Sequence, residues 1–140
     1  MDWKYLYTSF EGRINRQPYW IGALVLVGAL IVINLVLILL AGFAGLIIVY
    51  IISLLVIYPS LAMMIKRFHD RNKSGWWSLI FYIPAIINGV ISASAPDSSL
   101  TMITGLITLV VSIWFLVELG FLKGTDGPND YGPDPLGGQG

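Results

Sequence analysis

The chain has 140 residues, 56% of them hydrophobic and only 11% charged, against a usual charged share of roughly 25%. Its eight Lys/Arg and eight Asp/Glu cancel to a formal net charge of zero, which gives no reason to expect nucleic acid or an acidic polymer as a partner. No charge falls within 17–65, 74–96 or 98–117, gaps of 49, 23 and 20 residues that exclude an ordinary water-soluble fold.

In chain order, Trp3, Leu6, Tyr7 and Phe10 fall at i, i+3, i+4 and i+7. That spacing predicts a short amphipathic helix lying in the headgroup region and ended by Gly12. A hydrocarbon core of roughly 30 Å takes about 20 helical residues to cross. The first gap is therefore too long for one crossing and about right for two, with its break at Ala41-Gly42-Phe43-Ala44-Gly45. The pattern predicts an all-α membrane protein forming a single domain over 1–140. An interfacial segment at 1–18 precedes four helices near 19–41, 45–66, 76–95 and 99–121. These runs are apolar on all faces and lack the period-2 alternation of a barrel strand. The first apolar stretch, Tyr19 to about Leu40, exceeds the 7–15 residues of a secretory signal and reads as a retained anchor. Pro59 and Pro84 interrupt the second and third helices. The tail, 122–140, is rich in Gly, Pro and Asp and reads as a turn-rich or flexible extension.

With four crossings, Lys4, Arg13, Arg16, Lys66, Arg67, Arg71, Lys73 and Lys123 all share one side. The other side carries Asp97 alone. The positive-inside rule makes the rich side, with both termini, cytoplasmic. Treating 17–65 as one crossing would split the positive residues three against five. The cytoplasmic side then holds eight positive and seven negative residues, rich in charge but nearly neutral. That is unlike a polybasic patch drawn to anionic lipid, and it favours specific pairing.

Three motifs stand at the cytoplasmic ends of these helices. They are Gly12-Arg13-Ile14-Asn15-Arg16-Gln17-Pro18-Tyr19-Trp20, then Lys66-Arg67-Phe68-His69-Asp70 with Ser74-Gly75-Trp76-Trp77, then Gly124 to Pro135 with Asn129, Tyr131, Gly132 and Asp134. In this order and at these places they resemble the bacterial membrane proteins of domain-of-unknown-function family 805. Lys66 stands where that family usually has Arg, and Pro18 precedes the Tyr-Trp pair. The resemblance covers nearly the whole chain. It implies a small protein of the bacterial inner (plasma) membrane and brings no activity with it.

The candidate site is a cytoplasmic cluster of Arg13, Arg16, Arg67, His69, Asp70, Arg71, Trp76, Trp77, Asn129, Tyr131 and Asp134. Arginine forks onto carboxylate or phosphate, so the cluster is either an internal network or a pocket for a lipid headgroup or other anion. Tyr19-Trp20 and Trp76-Trp77 are explained as headgroup-level anchors. His69 beside Asp70 does not make a catalytic pair, because adjacent side chains on a helix diverge by about 100°. The single histidine excludes a two-histidine lipid-phosphatase pattern, and no P-loop, G-x-S-x-G or H-E-x-x-H occurs. Asp126, Asp130 and Asp134 lack the alternate spacing of an EF-hand, so no metal or cofactor is expected.

Within the membrane, Asn34, Asn88, Thr104, Thr108 and Glu118 are the candidate polar residues, with Thr101 and Ser112 extending the Thr stripe. They support an alternative as a small transporter or channel. No carboxylate lies at the midplane, and Asn and Thr there serve more often as helix-to-helix hydrogen bonds. The leading expectation is a non-enzymatic bundle that engages the bilayer, a headgroup, a protein partner or a second copy.

Overall fold

The computed structural model describes residues 1–137, and gives the backbone alone at 41–44, 46, 47 and 50. Its helices begin where short polar side chains take up free amides. Asp2 accepts from the Tyr5 N–H at the start of α1 (Trp3–Thr8), and Asn15 accepts from the Gln17 N–H at the start of α2 (Arg16–Asp70). Pro18 falls in the first turn of α2, where an amide has no partner within the helix, so it costs no hydrogen bond. Ser74 caps a short 3-10 turn, Gly75–Ser78, which leads into α3 (Leu79–Ser94). Ser98 caps α4 (Ser99–Phe115), which continues as a π-helical segment over Leu116–Phe121.

Helical hydrogen bonding runs through all of α2, yet α2 is not straight. A straight helix rises about 1.5 Å per residue and would hold Gly22 and Met63 about 60 Å apart. Instead the Met63 sulfur lies 2.5 Å from where a Cβ on Gly22 would stand, and the Leu6 side chain is 2.9 Å from the same point. The element therefore doubles back, and the pairing of residue 22 with residue 63 centres the reversal on the Ala41–Gly45 segment. Four helical stretches are long and apolar enough to cross a membrane: Arg16–Leu40, Ile51–Asp70, Gly75–Ser94 and Ser99–Phe121. Every named element is helical, as the apolar runs predict.

The four stretches form two hairpins. α3 and α4 pack along their length, with the Thr104 hydroxyl donating to Asn88 Oδ1 at 2.9 Å and the Thr108 hydroxyl to the Pro84 carbonyl at 3.3 Å. The α2 hairpin approaches them closely at one end only, through Gly75–Ser78 and Leu116–Phe121. The Ser60 and Tyr82 hydroxyls, 2.6 Å apart, bridge the hairpins farther up. Above them lies a cleft of about 620 Å3 lined by Leu54, Ile57, Ile86, Gly89 and Val90. Among the described side chains the buried core lies at the charged end, as two clusters: Leu6, Ile14 and Met63, and Phe68, Phe115 and Leu119. Phe68 and Phe115 meet edge to face with centroids 5.4 Å apart. Along the spans most large apolar side chains point outward, as expected where lipid is the solvent.

Two local expectations change. The N-terminal helix ends at Thr8, four residues before Gly12, and Phe10 lies beyond it, edge to face on Tyr58 with centroids 5.0 Å apart. Leu6 is buried against Ile14 and Met63, so part of the apolar face of α1 is spent within the molecule, while Trp3 stays 45% exposed. The tail is turn-rich, with positive φ at Gly127 (75°) and Gly132 (132°) and a bridge between Asn129 and Gly132. It lies folded against the ends of the helices.

Candidate functional site

The four C-terminal carbonyls of a helix have no partner within it, and they carry the negative end of its dipole. At the end of α4 five consecutive carbonyls are each met by a side chain from α2 or its flank. Arg67 Nε donates to Leu119 O at 2.6 Å, Trp20 Nε1 to Gly120 O at 3.0 Å and Arg16 Nη1 to Phe121 O at 3.0 Å. Arg67 Nη2 donates to Leu122 O, and Arg71 Nη1 to Lys123 O at 2.6 Å. Trp20 can lie this close because residue 120 is glycine: a Cβ there would stand 2.7 Å from the indole ring.

The carboxylate at the centre is Asp70. Arg13 donates to its Oδ1 through Nε at 3.2 Å and Nη2 at 3.1 Å, and Arg67 donates through Nη1 to its Oδ2. Arg13 also donates to the carbonyls of Gly127 (2.8 Å), Gly132 (3.2 Å) and Thr125 (2.7 Å). All five guanidinium N–H groups of Arg13 are thereby used. The side chains of Arg13, Arg67 and Asp70 are only 1%, 0% and 4% exposed, so these donors face no solvent. Gly124 is required beside them, since a Cβ there would stand 2.0 Å from Asp70 Oδ2. One buried carboxylate faces two guanidiniums, and the backbone carbonyls of the tail and of α4 offset the surplus positive charge.

A second pairing sits next to the first. Glu118, in the π-helical segment, accepts from Arg71 Nε at 2.7 Å and from Lys73 Nζ at 2.5 Å. Lys73 also lies over the Trp77 ring, 5.4 Å from its centroid. Glu118 is thus committed to cations at the helix end.

His69 points its Nδ1 at the Gly12 carbonyl, 3.1 Å away. A carbonyl only accepts, so Nδ1 carries the proton and Nε2 is left as an acceptor. The imidazole stacks on Tyr131 with centroids 3.9 Å apart and planes 5° from parallel. Asn129 Nδ2 donates to the His69 carbonyl at 2.8 Å, which ties the tail to the end of α2. Asp134 closes the tail turn, accepting from the Leu136 and Gly127 N–H groups at 2.9 Å each. Those two amide bonds hold its carboxyl below the usual range for an aspartate.

Eight of the eleven cluster residues named from the sequence thus join in one assembly: Arg13, Arg67, His69, Asp70, Arg71, Asn129, Tyr131 and Asp134. Arg16 reaches it only through the Phe121 carbonyl and is otherwise exposed. Trp76 is 77% exposed and Trp77 41%, so this pair lies at its margin. Among the intramembrane residues, Asn88, Thr104 and Thr108 link α3 to α4, while Asn34 donates to Leu30 O of its own helix at 2.7 Å.

Sequence reasoning missed Lys66, which is fully buried and has no carboxylate partner among the described residues. Its ammonium donates to the Leu6 carbonyl at 2.8 Å and to the Tyr5 carbonyl, and lies 4.4 Å from the Tyr5 ring centroid. Both carbonyls lie at the C-terminal end of α1, where Tyr5 O also accepts from the Ser9 N–H at 3.3 Å, so a cation again sits at the negative end of a helix. The compact ammonium standing where the resembled motif has Arg fits that narrow three-sided cage.

Comparison with known proteins places this geometry in a family. The family model described as a protein of unknown function, DUF805, matches residues 7–133. The inner membrane protein YhaI of Escherichia coli (strain K12) is 35% identical over 135 residues, covering 92% of this chain and 87% of the relative. The inner membrane protein YhaH of the same strain is 33% identical over 144 residues, covering 96% and 97%. The uncharacterized protein YiiR is 32% identical over 128 residues, covering 90% and 85%. No solved structure matches.

Proposed function

We propose, for a chain that belongs to the DUF805 family, a non-enzymatic role in the bacterial inner membrane with both termini in the cytoplasm. Its charged face works as a clasp that holds two helical hairpins together, and its rim engages a partner protein or a lipid headgroup. The observation that carries this reading is the saturation of Arg13, whose donors all end on Asp70 and on carbonyls of the tail. A guanidinium so enclosed has nothing left to offer a substrate, and it ties residues 13, 70 and 125–132 into one unit. Arg16 is the clasp arginine whose side chain is exposed, and it offers the rim contact for a phosphate or carboxylate. Its partners are expected to bind from the cytoplasmic surface, where the positive-inside rule puts all eight Lys/Arg.

The transport alternative draws support from the apolar cleft between the hairpins. It is weaker, because Glu118 is held by Arg71 and Lys73, and Asn88 by Thr104. Flotation of the purified chain with liposomes of varied headgroup, and capture of solubilised partners, test the rim. Arg16→Ala lowers anionic-lipid or partner binding with only a small loss of melting temperature, that of its one bond to the Phe121 carbonyl, whereas Arg13→Ala lowers folded yield. Equal folded yield for Arg13→Ala and the parent chain overturns the clasp.

A further inference from the structure

Beside the clasp, where α2 meets the turn Gly75–Ser78, lies a groove of about 280 Å3. One wall is Leu61, Ile65 and His69, a stripe at i, i+4 and i+8 that runs roughly 12 Å along the helix. The facing wall includes Trp76, Ser78 and Leu79. The groove is graded: His69 stands at the surface end, and Leu61 lies two turns deeper into the span. Ser78 is fully buried, and its hydroxyl is the one buried side-chain polar atom without a partner among the described residues. A buried hydroxyl left unpaired costs stability, so its place in the lining of a groove points to a ligand. His69 is the second indication. Its Nδ1 proton is spent on Gly12, and Nε2 has no protein partner among the described residues.

We propose that this groove binds a single-chain amphiphile with an uncharged, hydroxyl-bearing head. Its tail lies along Leu61 and Ile65 under the Trp76 indole, and its head exchanges hydrogen bonds with Ser78 and His69. A charged head is disfavoured, because the nearby cations Arg71 and Lys73 are committed to Glu118. The volume lies near the lower end of small-molecule sites, about 300–1,000 Å3, which suits one chain and excludes two. The inference goes beyond the clasp reading and turns on Ser78, Ile65 and Trp76; it shares only His69 with the clasp, through the ring nitrogen that the Gly12 carbonyl leaves unused.

The probe is a monoacylglycerol with a brominated chain, titrated onto the purified full-length protein in micelles while tryptophan emission is followed. Trp76→Phe identifies the signal of that residue. The expected result is saturable quenching from Trp76 that is at least about fivefold tighter than with the brominated methyl ester of the same chain, the worth of about one hydrogen bond. Ser78→Ala is expected to raise the melting temperature of the unliganded protein while weakening monoacylglycerol binding by a similar factor. Ile65→Trp, which fills the groove, abolishes saturation. Equal affinity for ester and monoacylglycerol overturns the proposal, as does tighter binding of the free fatty acid. Unchanged binding in Ser78→Ala also overturns it. A failed clasp would show instead as folded yield in Arg13→Ala equal to that of the parent chain, with the monoacylglycerol titration and its weakening in Ser78→Ala still observed.

Discussion

Arg67 donates through Nε to the main-chain carbonyl of Leu119 at 2.6 Å, while its Nη1 reaches Asp70. The same side chain therefore closes the C-terminus of α4 and anchors the carboxylate that holds Arg13. This double use helps explain why five cations (Arg13, Lys66, Arg67, Arg71 and Lys73) can be buried or half-buried at one end of a membrane bundle beside only two buried carboxylates, Asp70 and Glu118. Arg16, Arg67, Arg71 and Lys66 all spend donors on helix-terminal carbonyls, and Arg13 does so on the carbonyls of the tail. Helix ends and a glycine-rich ribbon supply negative partial charge that supplements the two buried carboxylates.

Asp70→Asn leaves two buried guanidiniums facing a neutral amide. Breaking a buried pair from one side costs about 3–5 kcal/mol, and here both Arg13 and Arg67 lose their carboxylate at once. Folded yield in detergent and the thermal transition should both fall sharply. Arg13→Lys should lose less, on the order of 2 kcal/mol, because an ammonium keeps the charge and three donors but not the fork. A transition for Asp70→Asn equal to that of the parent chain would show that the pair carries no net stability.

Lys66→Met tests the other capped helix. The methionine keeps the apolar stem but leaves the Tyr5 and Leu6 carbonyls without their ammonium. Amide exchange in residues 3–9 should speed up by at least about fivefold, the effect of one lost charge-assisted bond, with little change in α3 and α4. Uniform acceleration across all helices would place Lys66 in the global core instead.

The crossings were legible in the sequence because charge gaps and apolar length report directly on a hydrocarbon solvent. The Arg, His and Asp of the clasp were legible too, since such side chains cluster at a membrane surface for a reason. The partners of the arginines were not. Leu119, Gly120, Phe121, Leu122 and Lys123 contribute carbonyls, and a backbone atom leaves no trace in residue identity. Lys66 looked like a variant of an arginine position because its cage is built from Tyr5 and Leu6, sixty residues earlier in the chain. Gly120 and Gly124 carried the one available signal: small residues where a side chain would collide with Trp20 and Asp70.

Tyr131→Ala removes the parallel face against His69, and Asn129→Ala removes the bond to the His69 carbonyl. Each should cost about 1 kcal/mol in docking of the tail. Limited proteolysis should cut within 124–135 faster in both variants while the membrane helices stay protected. Cleavage at the parent rate would mean that the Arg13 contacts hold the ribbon by themselves.

Acid should release the same ribbon, and the direction follows from Asp134. The Leu136 and Gly127 amides hold its folded-state carboxyl below the ordinary value, which is about 3.9 for an unfolded aspartate. A depressed carboxyl adds stability that is fully present above the unfolded value and is lost as pH falls through the folded one. The Asp134 contribution to tail protection, read by amide exchange as the difference between the parent chain and Asp134→Asn, should therefore be flat from pH 7 to about pH 5 and decline only below about pH 4. In Asp134→Asn the acid-dependent part should vanish, because no proton is taken up at residue 134. A midpoint near neutral pH in the parent chain would instead assign the release to a group of histidine type, and would move the acid-sensitive contact from Asp134 to the His69–Tyr131 stack.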